Sequence, residues 1–334
     1  MAEYFYRPDL ARATAEQLLG GGIFGRPCLF LSAARRTGKS NFLLRDLIPA
    51  LISKGALVLY LDLWADKTVD PKDLISITIA NALAEAQGAI TRAAKAVGLS
   101  KVSIKGVEFN LADVGHAKGA TLSDALHELQ EKVGKPLVLI VDEAQHAIKT
   151  RSGMDAMFAL KSARDTLNAR GDNKFCLVMS GSDRDKLLRL VHGNSAPFLG
   201  SHIDQMPLLA IDFTNHLAGQ LAQEIPALVI DNARFAATFE RFDNRPEEFL
   251  KAINAVVGPF GPGHGGKFHE ALDREADDYE ARRAAEYLAA YESLTKLQRA
   301  VLTRVLSNSR DGRFFTADAL AEYSKAHGRR VAAG

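Results

Sequence analysis

Apolar residues in this chain fall into two patterns, short continuous runs and longer stretches at helical spacing. The runs are CLFLSA (28–33), ALVLYLDL (56–63), PLVLIVD (136–142), KFCLVMSG (174–181) and the weaker MPLLAI (206–211). Their length and continuity predict strands covered on both faces. Between them, apolar residues recur three and four apart. That spacing predicts helices over 9–20, 39–53, 71–98, 121–133 and 153–170. The first should end at Gly20-Gly21-Gly22, and Pro49 should kink or shorten the second. Residues 101–116 alternate loosely and predict a small hairpin. Strands alternating with helices predict an α/β fold, a three-layer sandwich around a five-stranded parallel sheet.

Beyond Phe213 the pattern is helical, with helices expected at 214–224, 231–241 and 246–256. Residues 257–268 crowd Gly and Pro and predict a linker. A charged helix is expected at 269–292. Two further helices are expected within 295–325, separated by SNSRDGRF. No internal repeat is visible. The expected organisation is a core over 1–212, a helical group over 213–257, a linker over 258–268 and a helical region over 269–334.

Composition narrows the class. The 334 residues are 47% hydrophobic and 25% charged, as in a soluble globular protein. Lys and Arg number 42 against 40 Asp and Glu, a net +2. Such a balance gives no global pull toward nucleic acid or an anionic membrane, so either contact needs a local patch. Cys28 and Cys176 lie inside apolar runs and read as buried thiols, too few for a disulfide framework or a zinc site. The N-terminus has no basic stretch followed by an apolar one, and no apolar run approaches the ~20 residues of a membrane helix. These readings point to the cytoplasm and to no membrane.

The candidate chemistry begins where the first strand meets the second helix. Ala33-Ala34-Arg35-Arg36-Thr37-Gly38-Lys39-Ser40 is G-x-x-x-x-G-K-[ST] with alanine in the first position. A loop between strand and helix turns its N–H groups onto phosphate oxygens, and the helix N-terminus adds its positive end. Ala34, Arg35, Arg36, Thr37, Gly38, Lys39, Ser40 and Asn41 are therefore candidate ATP contacts. Lys39 would reach the β- and γ-phosphates, and Ser40 would ligate Mg2+. Ala33 suffices if its backbone is strand-like, but not if a positive φ is needed.

PLVLIVD ends in Asp142-Glu143. Asp142 is the candidate magnesium-side acid and Glu143 the candidate general base toward water, with Lys39 as the second catalytic group. A glutamate beside that aspartate marks the branch of phosphate-loop proteins with an extra strand between the two motif strands. KFCLVMSG fits that place, and Ser180 and Ser182 at its end are candidate γ-phosphate sensors. Asp62 reads either as orienting Glu143 or as a satisfied strand-end carboxylate. Trp64 reads as core or loop anchor and His146 as a turn residue. His264 and His269 do not read as metal ligands.

With these motifs read, the chain resembles the archaeal-type ATPases of the AAA+/STAND superfamily over residues 5–257. The matching stretches are AARRTGKS (33–40), VDEAQ (141–145), MSGSDRDKL (179–187) and SAPFLG (195–200). In that group Gly-Pro usually precedes Arg-Arg-Thr-Gly-Lys. The resemblance implies a helical lid over 213–257, with Arg245 of Asn244-Arg245-Pro246 as a second sensor, followed by a winged helix. Residues 294–325 match only its first two helices. The group tends to carry an arginine after Pro-Leu-x-Gly, where this chain has Ser201-His202. Arg184 and Arg189 are the substitutes. From residue 267 on, 12 Lys and Arg face 11 Asp and Glu, which does not support a DNA-reading face.

The leading expectation is an ATP-hydrolysing switch acting on a protein partner or on copies of itself. The alternatives are a DNA-associated AAA+ loader or transposition-type regulator, and a scaffold that binds ATP with little turnover.

Overall fold

The computed structural model describes residues 3–20, 25–86, 101–104, 107–110, 121–169, 174–259, 261, 267–307 and 313–332. Gly21, Gly22, His264, residues 87–98 of the third expected helix, 111–116 of the expected hairpin and part of SNSRDGRF lie outside them.

The chain divides into two compact units. The first comprises residues 1–220 with 244–247. It contains α1 (Pro8–Leu19), β1 (Cys28–Ser32), α2 (Lys39–Phe42), a π turn (Leu43–Leu47), α3 (Ile48–Ser53), β2 (Leu57–Asp62) and α4 (Pro71–Ala86). A hairpin of β3 (Lys101–Ile104) and β4 (Val107–Asn110) follows, then α5 (Leu122–Val133), β5 (Leu137–Asp142), a 3-10 turn (Ala144–Lys149) and α6 (Arg151–Leu167). β6 (Phe175–Gly181), α7 (Arg184–Leu188), β7 (Ile203–Gln205) and most of α8 (Ile211–Glu224) complete it.

Five strands form one sheet in the order β2-β5-β6-β1-β7, each pair parallel. β6 therefore lies between β1 and β5, the place expected for KFCLVMSG. Side chains alternate across the sheet. Leu137, Leu139 and Val141 join a core on one face with α4, α5 and α6, while Val138 and Ile140 join the core on the other face with α1 and the helix after β1. This is the three-layer α/β sandwich read from the runs.

Local chemistry sets the element ends. Thr121 accepts from Asp124 N–H and Asp124 accepts from Thr121 N–H, a capping box that starts α5, and Gly134 ends it at φ 63°. α6 starts at Arg151, two residues earlier than its spacing suggests, because the Thr150 hydroxyl caps Gly153 N–H at 3.0 Å. Pro49 leaves its mark one turn upstream, as the π turn Leu43–Leu47. Gly134 and Thr150 bracket the strand–turn segment that carries Asp142 and Glu143.

One strand is displaced. MPLLAI (206–211) is not the fifth strand, which is β7 at 203–205. Met206 N–H still bonds Ser32 C=O at 2.8 Å, but Pro207 has no N–H to extend the ladder. The apolar run instead crosses to α8, with Met206 and Leu209 buried and Leu208 and Ile211 exposed.

The second unit comprises residues 221–243 and 248–334 and is helical. It holds α9 (Asn232–Arg241), most of α10 (Pro246–Val257), α11 (Phe268–Ser293), α12 (Lys296–Ser307) and α13 (Ala317–His327). Phe268, placed in the linker by composition, opens α11 and is fully buried against Phe235. Phe235, Phe239 and Phe242 meet Phe249, and Arg234 and Arg241 of α9 pair with Asp273, Asp277 and Glu280 of α11. Among the described residues no helix is long and apolar enough to cross a membrane.

Candidate phosphate-binding site

Parallel pairing puts the C-terminal ends of β1, β5 and β6 side by side, so the groups that follow them converge. Three of the candidate side chains meet at one carboxylate. Lys39 and the Ser180 hydroxyl both bond Asp142 Oδ1, and Ser40 donates to Oδ2 at 2.7 Å. Lys39 Nζ also lies 3.2 Å from Glu143 Oε1 and 3.2 Å from Ser180 Oγ. Lys39 and Asp142 are nearly inaccessible to water. A buried ammonium and a buried carboxylate each require the other, since either alone is strongly penalised in a low-dielectric interior.

The loop geometry explains which residues it tolerates. Gly38 sits at φ 88°, a conformation that L side chains avoid. Ala33 is not among the positive-φ residues, and its N–H bonds Gly181 C=O at 3.1 Å, so it continues the strand and needs no glycine. The loop's other left-handed residue is Arg36, at φ 67°. Thr37 is buried and its hydroxyl bonds Ala34 C=O at 2.7 Å, tying the loop across its own turn. Ala34, Arg35 and Asn41 are exposed.

Glu143 also has a left-handed backbone, φ 54°, at the step from β5 into the 3-10 turn. Such non-glycine strain clusters at functional sites. Its Oε2 accepts from Ser182 Oγ at 2.8 Å and from Gln145 Nε2. Burial is the largest single influence on both carboxyl groups and would raise their pKa values, but the Lys39 charge and the hydrogen bonds together outweigh it. With the hydroxyls of Ser180 and Ser40, Lys39 holds Asp142 below the usual carboxylate range, and with Ser182 and Gln145 it does the same for Glu143. Both are charged at neutral pH.

Gln145 explains Gly181. A Cβ built on Gly181 would lie 2.4 Å from Gln145 Oε1. Gly181→Ala is therefore expected to cost about 1–3 kcal/mol by overpacking. The cost should largely vanish in Gly181→Ala/Gln145→Ala, and denaturant unfolding of the four-member cycle measures it.

The other candidates separate. Asp62 accepts from Trp64 N–H at 2.8 Å and closes the strand end, and no bond joins it to Glu143 among those described. Its pKa is raised by burial and by the charges of Asp142 and Glu143. Arg35 lies over Trp64, while Arg36 faces Glu247 at 3.6 Å. Arg245 is half-buried in the turn 244–247, where Asn244 donates to Leu209 C=O at 3.0 Å. Arg184 and Arg189 are exposed on and after α7. His269 accepts from Asp231 N–H, and no cluster of three or more metal-ligating side chains occurs among the described residues.

His146 is buried against Trp64, with ring centroids 4.1 Å apart. Burial, then the nearby Lys149 charge, lowers its pKa to about 4, so it is neutral at pH 7. Its contribution to stability is complete above the ordinary histidine pKa and falls away as pH drops toward about 4. Wild type should thus lose more unfolding free energy between pH 7 and pH 5 than His146→Gln, by denaturant titration at the two pH values.

Two residues at the site escaped the motif reading. Tyr60 donates to Asp142 Oδ2 at 3.2 Å. Strand alternation carried the signal, since Tyr60 stands two residues before Asp62, which pairs in register with Asp142. Arg7 reaches Gly38 C=O at 3.4 Å and lies over the Phe42 ring, and it is 31 residues from that glycine with no periodic signal.

In sequence, no family model and no curated protein matches the chain. Solved structures do match in fold. The Walker-type ATPase PABY2304 of Pyrococcus abyssi superposes with a TM-score of 0.53 at 15% identity, over 98% of this chain and 90% of that one. The ORC2 protein of Aeropyrum pernix in its ADP form gives 0.54 at 15% identity, over 96% and 78%. The chain shares its fold with these two proteins.

Proposed function

We propose that this chain binds ATP with magnesium, hydrolyses it, and uses the nucleotide state as a switch on a protein partner. The observation that carries the reading is the convergence of Lys39, Ser40, Asp142 and Glu143 at the C-terminal ends of β1 and β5, which flank β6 in one parallel sheet, with Glu143 held by Ser182 and Gln145. The structural likeness to a Walker-type ATPase, and to a protein solved in its ADP form, supports it.

The residues fit magnesium. Ser40 Oγ and Asp142 Oδ2 present two hard oxygens at one point, the donor type that magnesium takes alongside water and phosphate. Magnesium bound there supplies positive charge to the phosphate oxygens. Lys39 exchanges its carboxylate partners for phosphate, and the N–H groups of residues 34–40 bind oxygens. Glu143, charged and oriented by Ser182, takes the proton of the attacking water. Ser180 and Ser182 report the γ-phosphate through the carboxylates they already touch. Residues 213–257 serve as the lid, with Arg245 on the turn whose Glu247 meets Arg36.

The test is ATP turnover by the purified chain at several protein concentrations, beside Glu143→Gln. Turnover absent from the mutant supports hydrolysis at this site. A rate per subunit that rises with concentration makes the partner a second copy. Wild type no faster than the mutant sinks the hydrolase reading and leaves a binding scaffold.

A further inference from the structure

Three cations gather on one aromatic ring beside the phosphate loop. Lys67 Nζ lies 4.0 Å, Lys149 Nζ 5.0 Å and the Arg35 guanidinium 5.7 Å from the centroid of Trp64. The indole is the chain's only tryptophan, and it is 37% exposed. Its neighbour His146 is buried, with a ring Nε2 that has no hydrogen-bond partner.

No carboxylate of the described residues lies within ion-pair distance of the three cations. The acids on the same loop are engaged elsewhere. Asp66 accepts from both the N–H and the hydroxyl of Thr68, and Asp70 accepts from Ser152 Oγ and Lys72 N–H. Asp62 is turned to Trp64 N–H. Three exposed cations thus share one ring without an ion pair among the described residues, in a chain whose overall charge is near zero.

We propose that Arg35, Lys67, Lys149 and Trp64 form a contact site for single-stranded nucleic acid, with phosphates on the three cations and a base against the exposed part of the indole. A strand supplies both chemistries at once, anionic backbone and planar base, which is the combination of basic groove and aromatic platform that such binding uses. An acidic peptide supplies the charge but nothing for the ring. The site lies on the loop after β2 and on the turn that follows Glu143, beside the phosphate loop. It does not depend on the C-terminal region.

Trp64 is its own reporter. Nucleotide-free full-length protein is titrated with an oligothymidylate of about 10 nucleotides, within the span of one such module, and Trp64 fluorescence is followed. Binding is read without ATP, so its failure and the failure of the hydrolase reading are separate results. The expected result is a saturable change whose affinity falls with a slope near −2 in log–log salt dependence, for three phosphates on a single strand. Lys67→Gln/Lys149→Gln should bind at least about tenfold more weakly. Polyglutamate at equal charge should leave the signal unchanged. No signal with the oligonucleotide, an equal response to polyglutamate, or wild-type affinity in the double variant overturns the proposal. Anisotropy of a labelled strand on the wild type gives a second reading that needs no variant.

Discussion

Lys39→Met is expected to abolish ATP binding and, in the nucleotide-free protein, to lower the unfolding free energy by about 3 kcal/mol. The second effect distinguishes this site from a loop whose lysine waits in solvent. Here Lys39 is only 6% exposed and is the cation for Asp142, which is 1% exposed. Removing it leaves a buried carboxylate held only by neutral donors, the hydroxyls of Ser40, Ser180 and Tyr60 and the Glu143 N–H. Asp142 must then take a proton or suffer the desolvation that Lys39 offset. Lys39→Met/Asp142→Asn should recover most of the stability while ATP binding stays lost. Urea unfolding and nucleotide titration measure the two properties separately. A single mutant as stable as wild type would mean that Asp142 is better hydrated than its burial implies.

Glu143→Gln is expected to reduce turnover by about 1,000-fold while ATP affinity changes little, because general-base catalysis supplies roughly that factor. The amide keeps the size of the side chain and can still accept from Ser182, so the loop and Lys39 remain placed to bind phosphate. Lost is the charge that draws a proton from water. Wild-type kcat/KM, which reports the free enzyme, should also keep its acid limb below the ordinary carboxylate range, since Lys39, Ser182 and Gln145 together hold the Glu143 pKa down against burial. The sign is set by that depression, with base activity present above the lowered pKa and lost only as pH falls through it. Comparable turnover in the variant would move the base elsewhere, and Asp62, with its raised pKa, would be the next residue to replace.

Much of this was legible in the amino-acid order. Runs such as LVLIV must be covered on both faces, and their alternation with helical spacing leaves a parallel three-layer sheet as the natural solution. The loop residues 33–40 and the Asp142-Glu143 pair are local patterns because their chemistry is local, with Gly38 needed for φ 88° and Lys39-Ser40 opening a helix. Asp142 meeting Lys39 follows once both are placed at the C-terminal ends of parallel strands with a single strand between them.

The fold decided what depends on contacts far apart in sequence. The fifth strand fell at 203–205 rather than on the more apolar 206–211 because a proline ended the ladder, and burial of Met206 and Leu209 did not need pairing. Gly181 is small because Gln145, 36 positions away, comes within 2.4 Å of where its Cβ would be. Tyr60 and Arg7 join the site through register and packing. The cations around Trp64 come from three separate segments, each unremarkable alone. Local order selects backbone angles and burial, and so determines elements and motif chemistry. Which side chains complete a charge or exclude a methyl group is settled only when the sheet brings its strand ends together.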